Sequence, residues 1–143
     1  MANEITVRAG LQVRKGFLYS PVRLPSFQDD QSGAGGPAPG QFNVSRFGTN
    51  LDLSELGTPG WAFVQNLSNT YSVEWGGWDG TVFIPIGELL PGQGHPIRLS
   101  PNLGERYDDT GTATTAGIYS IRFKADFDSG ADGVDVLVEA YER

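Results

Sequence analysis

His95 is the single histidine of the chain and stands between turn formers in Gly94-His95-Pro96. An imidazole there acts as a general base only if a serine and a carboxylate are brought to it, and no Gly-x-Ser-x-Gly elbow exists to expose a serine. A metal held by that imidazole needs carboxylates at a spacing the sequence does not supply. The densest acids lie in Asp126-Phe127-Asp128-Ser129-Gly130-Ala131-Asp132-Gly133-Val134-Asp135. Closely spaced carboxylates on a glycine-rich loop are what calcium uses, but the helix-loop-helix pattern fails. Counted from Asp126, the fifth position is Gly130 where a carboxylate or amide belongs. The sixth is Ala131 where glycine makes the sharp turn, and the twelfth is Leu137, which cannot chelate. An acidic hairpin tip that keeps a strand end in water is the better reading, and Asp108-Asp109 reads the same way. Gly76-Gly77 lacks the Lys-Ser/Thr that completes a phosphate loop. Paired carboxylates of the glycosidase kind leave no trace in a sequence. The expectation is a protein with no catalytic residue, no metal site and no cofactor.

Aromatic side chains offer a different chemistry, since exposed rings pack on sugars or on protein neighbours. Trp61, Tyr71 and Trp75 fall at strand positions and are expected in the core. Trp78 sits in Gly76-Gly77-Trp78-Asp79-Gly80, where a turn would expose it. An exposed tryptophan at a loop tip is a frequent contact anchor.

The elements that would carry these residues follow from composition. The chain has 143 residues with 20 Gly and 9 Pro, about one residue in five, which argues for short strands and many turns. It has no cysteine, so disulfides, thiol chemistry and iron–sulfur ligation are excluded. No apolar run approaches the roughly 18 residues of a membrane-spanning helix, and the start Met-Ala-Asn-Glu lacks the layout of a signal peptide. A soluble intracellular product with no membrane partner is expected. The net charge of −7 disfavours nucleic acid as a partner. The charge is uneven: residues 1–25 sum to +3, while 26–100 and 101–143 each sum to −5. A cationic N-terminal segment on an acidic body suits docking to a like-built neighbour, and a solvated strand face accounts for it as well.

Strand-like alternation runs through Ile5, Val7, Ala9, Leu11, Val13 and Phe17, one long strand or a bent pair with Gly10 as the bend. From Ser20 to Gly40 the pattern collapses into Pro21, Pro25, Asp29-Asp30, Gly35-Gly36-Pro37 and Pro39-Gly40. Such a stretch reads as an extended arm or loop that orders on contact. Alternation resumes at Phe42 and Val44. Trp61–Gln65 and Tyr71–Trp75 read as a hairpin, and Thr81–Ile86 pairs back on its predecessor. Ile97 and Leu99 open a short strand, residues 102–117 an exposed loop. Tyr119–Ala125 and Val134–Ala140, joined by a glycine-rich loop, read as a second hairpin. No segment carries a 3.6-residue period, so sheet must bury sheet. The expected architecture is one all-β domain, an antiparallel β-sandwich of about eight strands, jelly-roll-like, with residues 20–40 as its arm.

The passage Gly57-Thr58-Pro59-Gly60-Trp61-Ala62-Phe63-Val64-Gln65-Asn66-Leu67-Ser68-Asn69-Thr70-Tyr71-Ser72-Val73-Glu74-Trp75-Gly76, then Val82-Phe83-Ile84-Pro85-Ile86 and Leu89-Leu90-Pro91-Gly92-Gln93, resembles small structural proteins of tailed bacteriophages. Gln93 stands where that pattern more often has Glu. The resemblance implies a virion component, expected as a capsid decoration (cement) protein. It would be made in the host cytoplasm and bind the major capsid protein and neighbouring copies of itself on the outer capsid surface, as a homo-oligomer or lattice-bound. It brings no enzymatic residues. The partner-binding candidates are Arg8, Arg14, Lys15, Pro21, Arg23, Pro25, Phe27 and Trp78. A tail-associated or receptor- or carbohydrate-binding β-sandwich module is the alternative.

Overall fold

Alternation of period two dominates the body of the chain because each long strand of the sandwich buries one face only. In Val134–Glu142, the residues Val134, Val136, Val138 and Ala140 are buried while Asp135 is exposed. The computed structural model describes residues 4–23, 26–31, 33, 35–100, 103, 106–107, 110, 113–114 and 120–142. Among these the strands are β1 (Ile5–Val7), β2 (Gly10–Lys15), β3 (Leu18–Arg23), β4 (Phe27–Asp29), β5 (Ala38–Val44), β6 (Thr49–Asn50) and β7 (Pro59–Asn66). They continue as β8 (Val73–Trp78), β9 (Phe83–Leu89), β10 (Gly94–Arg98), β11 (Arg106–Tyr107), β12 (Ala113–Thr114), β13 (Ser120–Ala125) and β14 (Val134–Glu142).

Two four-stranded antiparallel sheets pack face to face, one in the order β10-β7-β14-β5 and the other β6-β13-β8-β9. Their inner faces meet in a core that includes Val44, Val64, Val73, Leu89, Phe123, Val136 and Val138, all fully buried. Phe42 packs edge-on to Phe123 with ring centroids 5.8 Å apart, a favourable aromatic geometry. The protein is an all-β sandwich whose body has eight strands.

Two expected hairpins are instead crossings between sheets. β7 pairs with β14 and β10, whereas β8 pairs with β13 and β9, so Trp61–Gln65 and Tyr71–Trp75 lie in different sheets. Asn66 turns that corner. Its buried Nδ2 donates to the carbonyls of Tyr71 and Leu89 at 2.8 and 3.0 Å, and its Oδ1 accepts from the Ser68 amide at 2.9 Å. Backbone groups leaving a sheet in the interior need such a partner. Likewise β13 pairs with β6 and β8 while β14 pairs with β5 and β7. The intervening turn is a single 3₁₀ turn, Phe127–Ser129, which Asp126 caps by accepting from the Asp128 amide at 3.0 Å. Only β8–β9 closes as the sequence suggests. It carries a bulge at Ile86, where a Cβ on Gly76 would lie 1.9 Å from the Ile84 carbonyl oxygen. Gly76 therefore belongs to the strand, because the partner backbone needs the space its side chain would fill.

The N-terminal third departs most from expectation. The alternation from Ile5 to Phe17 is two strands, broken at Arg8-Ala9 before Gly10, and Gly16 with φ +58° turns the chain at the tip. Part of the segment 20–40 is also strand, since β3 runs to Arg23, β4 pairs with β1, and β5 starts at Ala38. Within residues 102–117 the described pieces β11 and β12 pair with each other, and Asp108-Asp109 lies outside the described residues.

Candidate interaction surface

β2 and β3 form a hairpin in register from Gly10–Arg23 to Lys15–Leu18. Every residue of β2 is exposed, including Leu11 at 63% and Val13 at 38%. Phe17 at the tip is completely exposed, and Tyr19 is 59% exposed. A two-stranded ribbon is marginal in water on its own, and exposed apolar side chains such as these are poorly suited to solvent. Arg14 and Lys15 are exposed on it, Arg8 is exposed at its base, and Pro21 is exposed on β3. Arg23 stands opposite Gly10, and Phe27 opposite Val7. Pro25 lies outside the described residues. The candidates in β1–β4 thus gather on one N-terminal projection.

A polar clasp attaches that projection to the body. Asp29, at the end of β4, accepts a hydrogen bond from Trp61 Nε1 at 3.0 Å and forms an ion pair with Arg98, whose guanidinium also lies 5.5 Å over the Trp61 ring. The Trp61 hydrogen bond, followed by the Arg98 charge, holds the Asp29 carboxyl below the ordinary aspartate value. Trp61 is consequently not a core residue. Ala62 and Val64 take the inward positions of β7, and Trp61 and Phe63 face outward toward β1. Between β1 and the sheet runs a groove of about 780 Å³ lined by Glu4, Arg8, Gln31, Trp61, Phe63 and Tyr141, among others. At the C-terminal end of β14, the Glu142 carboxylate accepts from the amides of Gly35 and Gly57, at 2.9 and 2.6 Å, and so ties the chain after the ribbon to the same sheet.

Trp78 is elsewhere. It ends β8 rather than tipping a loop, is half-buried, and lies under the Arg122 guanidinium at 4.0 Å from its ring centroid. Arg122 in turn donates to Asn50 Oδ1 and to the carbonyls of Phe47 and Gly48. Arg122 alternates with the buried Phe123, so this stack occupies the outer face of the second sheet, while the N-terminal projection covers the first. Trp78 does not share a patch with Arg8, Arg14 and Lys15.

His95 lies half-buried on β10, its ring 6.2 Å from that of Trp75. The Asp135 carboxylate accepts from Asn43 at 3.1 Å and from Gln41 at 3.0 Å, cross-linking β14 to β5. Among the described residues, no three His, Asp or Glu side chains come together in a way that could hold a metal ion.

One exposed feature had no distinct signal in the sequence. β9 is an edge strand, and Val82 just before it and Ile84 and Ile86 along it are 53%, 56% and 71% exposed. A continuous apolar run reads equally as a buried strand, and only Pro85 within it hinted at an edge.

The fold and these surfaces define a β-sandwich that carries a projecting, apolar and cationic hairpin. No family model, curated protein or solved structure matches the chain.

Proposed function

We propose that this protein is a virion structural component, a capsid decoration protein that binds the outer surface of the major capsid shell and stabilises it. The observation that carries this reading is the β2–β3 hairpin, which exposes Leu11, Val13, Phe17 and Tyr19 beside Arg14 and Lys15 and so is shaped for a macromolecular neighbour. We read the strand order as a jelly roll: the eight strands of the body, taken in chain order, alternate between the two sheets except at β8–β9, with β11 and β12 paired apart from both. Jelly rolls serve in viral capsid and lectin domains. The resemblance of residues 57–93 to bacteriophage structural proteins points the same way. On a lattice, many identical weak contacts act together, so each interface can be modest and the shell still gains strength.

The test is the composition of purified particles. The protein is expected in virions by mass spectrometry, at a copy number matching the shell lattice, and particles lacking it are expected to lose genome at a lower temperature. Its absence from purified particles ends this reading.

The groove beneath β1 favours a second reading, a tail-associated or receptor-binding module for carbohydrate, because Trp61, Phe63 and Tyr141 line it beside Glu4 and Gln31. Under that reading Trp61→Ala abolishes binding to cell-surface glycans and Trp78→Ala does not. A glycan array without a hit removes it.

A further inference from the structure

The arginines of the sandwich are used in different ways. Arg98 pairs with Asp29, and Arg122 donates to Asn50 Oδ1 and to the carbonyls of Phe47 and Gly48. Arg46 meets rings instead. Its guanidinium carbon lies 4.9 Å from the Phe47 ring centroid and 5.4 Å from that of Phe127. Among the described residues it has no ion pair and no hydrogen-bonded acceptor. The two rings are 75% and 77% exposed, so a half-buried cation is flanked by apolar surface that faces water.

Neither ring hangs on a loose loop. Phe47 sits in the turn between β5 and β6, where the Gly48 amide donates to the Ser45 carbonyl at 3.0 Å and the Phe47 amide to Ser45 Oγ at 3.2 Å. Gly48 takes φ +96° there, and a Cβ on it would lie 2.2 Å from Arg122 Nε, so Arg122 packs directly on the turn whose carbonyls it holds. The Ser45 carbonyl also accepts from the Ala125 amide at 3.1 Å, and the Asp126 amide donates to the Ser72 carbonyl at 3.0 Å. These bonds fasten the Phe47 turn to the Phe127–Ser129 turn, with the Arg46 guanidinium against both exposed rings. Side chains ordered in advance lose little freedom on binding, and aromatic residues with arginine are the ones enriched in protein contacts.

A guanidinium lying over aromatic rings keeps its planar N–H fork available to a carboxylate or a phosphate. The net charge of −7, and the exposed Asp126 and Asp128 on either side of Phe127 in the chain, disfavour a polyanion. A single carboxylate set among apolar groups matches a single cation set between phenyl rings. We propose that Arg46, Phe47 and Phe127 bind an acidic side chain of a protein partner together with the apolar residues beside it. The carboxylate meets the Arg46 guanidinium, and its apolar neighbours cover the two rings. β5 and β6 are the edge strands away from β10, where Arg98 clasps the N-terminal projection, so this contact is separate from the β2–β3 hairpin. It does not rest on the decoration reading.

The test is selection from a random peptide library on the intact chain, with soluble Arg46→Gln protein as competitor to remove peptides that bind elsewhere. The expected survivors carry Asp or Glu with an apolar residue on at least one side. Changing that acid to its amide in a synthetic survivor, or Arg46→Gln in the protein, should each weaken binding about tenfold, the scale of one lost charge-assisted contact. Phe47→Ser and Phe127→Ser should each weaken it as well. Arg46→Lys should fall between the parent and Arg46→Gln, since it keeps the charge and loses the fork. Circular dichroism checks that each variant folds, and the acid-to-amide change in the peptide needs no variant at all. A selection that yields no peptide, or only peptides without an acid, overturns the inference. So does a peptide that binds parent and Arg46→Gln equally, or a single-stranded oligonucleotide or inorganic phosphate that binds more tightly than the acidic peptide.

Discussion

The sandwich and its N-terminal hairpin are both antiparallel sheet, yet they treat their surfaces in opposite ways. In the body the edge strands are blunted: β5 carries Pro39, β9 carries Pro85, β10 carries Pro96, and β6 is two residues long. Proline and shortness are devices that stop a sheet from recruiting another chain. In the hairpin, β2 runs six residues without a proline and with every side chain in water. The body buries Val44, Val64, Phe123, Val136 and Val138 completely, whereas the hairpin leaves Leu11 and Phe17 exposed. The difference separates two tasks. Burial fixes the scaffold, and the hairpin leaves apolar side chains in water, which is the surface the proposed partner contact would use.

This contrast breaks most visibly under truncation. Phe123→Ala removes a fully buried ring between the sheets and is expected to cost about 3–5 kcal/mol, read by chemical denaturation with an unchanged folded spectrum. Asn66→Ala leaves two interior carbonyls, those of Tyr71 and Leu89, without their donor, and is expected to cost roughly 1–3 kcal/mol. Leu11→Ala in the hairpin is expected to change stability by less than about 0.5 kcal/mol, because the side chain is already in water. A large loss from Leu11→Ala would mean that the hairpin packs on its own body in solution.

How far the sequence discloses this arrangement depends on which physical signal each part leaves. Alternation in β14 marks Val134, Val136, Val138 and Ala140 as inward, and they are. It does not say which sheet a strand joins, since a corner between sheets and a hairpin within one look alike along the chain. That is why Asn66 and the Asp126 turn read as hairpin connections. β8–β9 was legible because Phe83 and Ile84 follow the Asp79 turn closely enough to pair back. The hairpin was half legible: its cations and apolar residues are plain, but Gly16 as the turn and Leu18–Arg23 as a strand were masked by Pro21 and the proline- and glycine-rich stretch that follows. The Asp29–Trp61–Arg98 clasp left no signal, since its members lie 32 and 69 positions apart and meet only through the fold.

The clasp supplies the smallest and most specific way to sharpen the comparison, because it is where ribbon and body meet. Asp29 has its carboxyl held below the ordinary value of 3.8, first by the Trp61 indole and then by Arg98. A carboxylate with a depressed value contributes stability that is fully present above its unfolded value and fades as pH falls through the folded one. The β1–β4 pair should therefore stay docked at neutral pH and begin to loosen only below about pH 3.8, in the range where Asp29 takes up a proton. Trp61 reports the change, since its indole N–H loses its acceptor. An acid fluorescence transition should appear in the parent chain and be absent in Asp29→Asn, whose Trp61 signal is already shifted at pH 7. The Asn variant should keep its core transition in denaturant. If Asp29→Asn also lowers that midpoint substantially, the ribbon contributes to the fold of the body, and the separation between scaffold and projection fails at this joint.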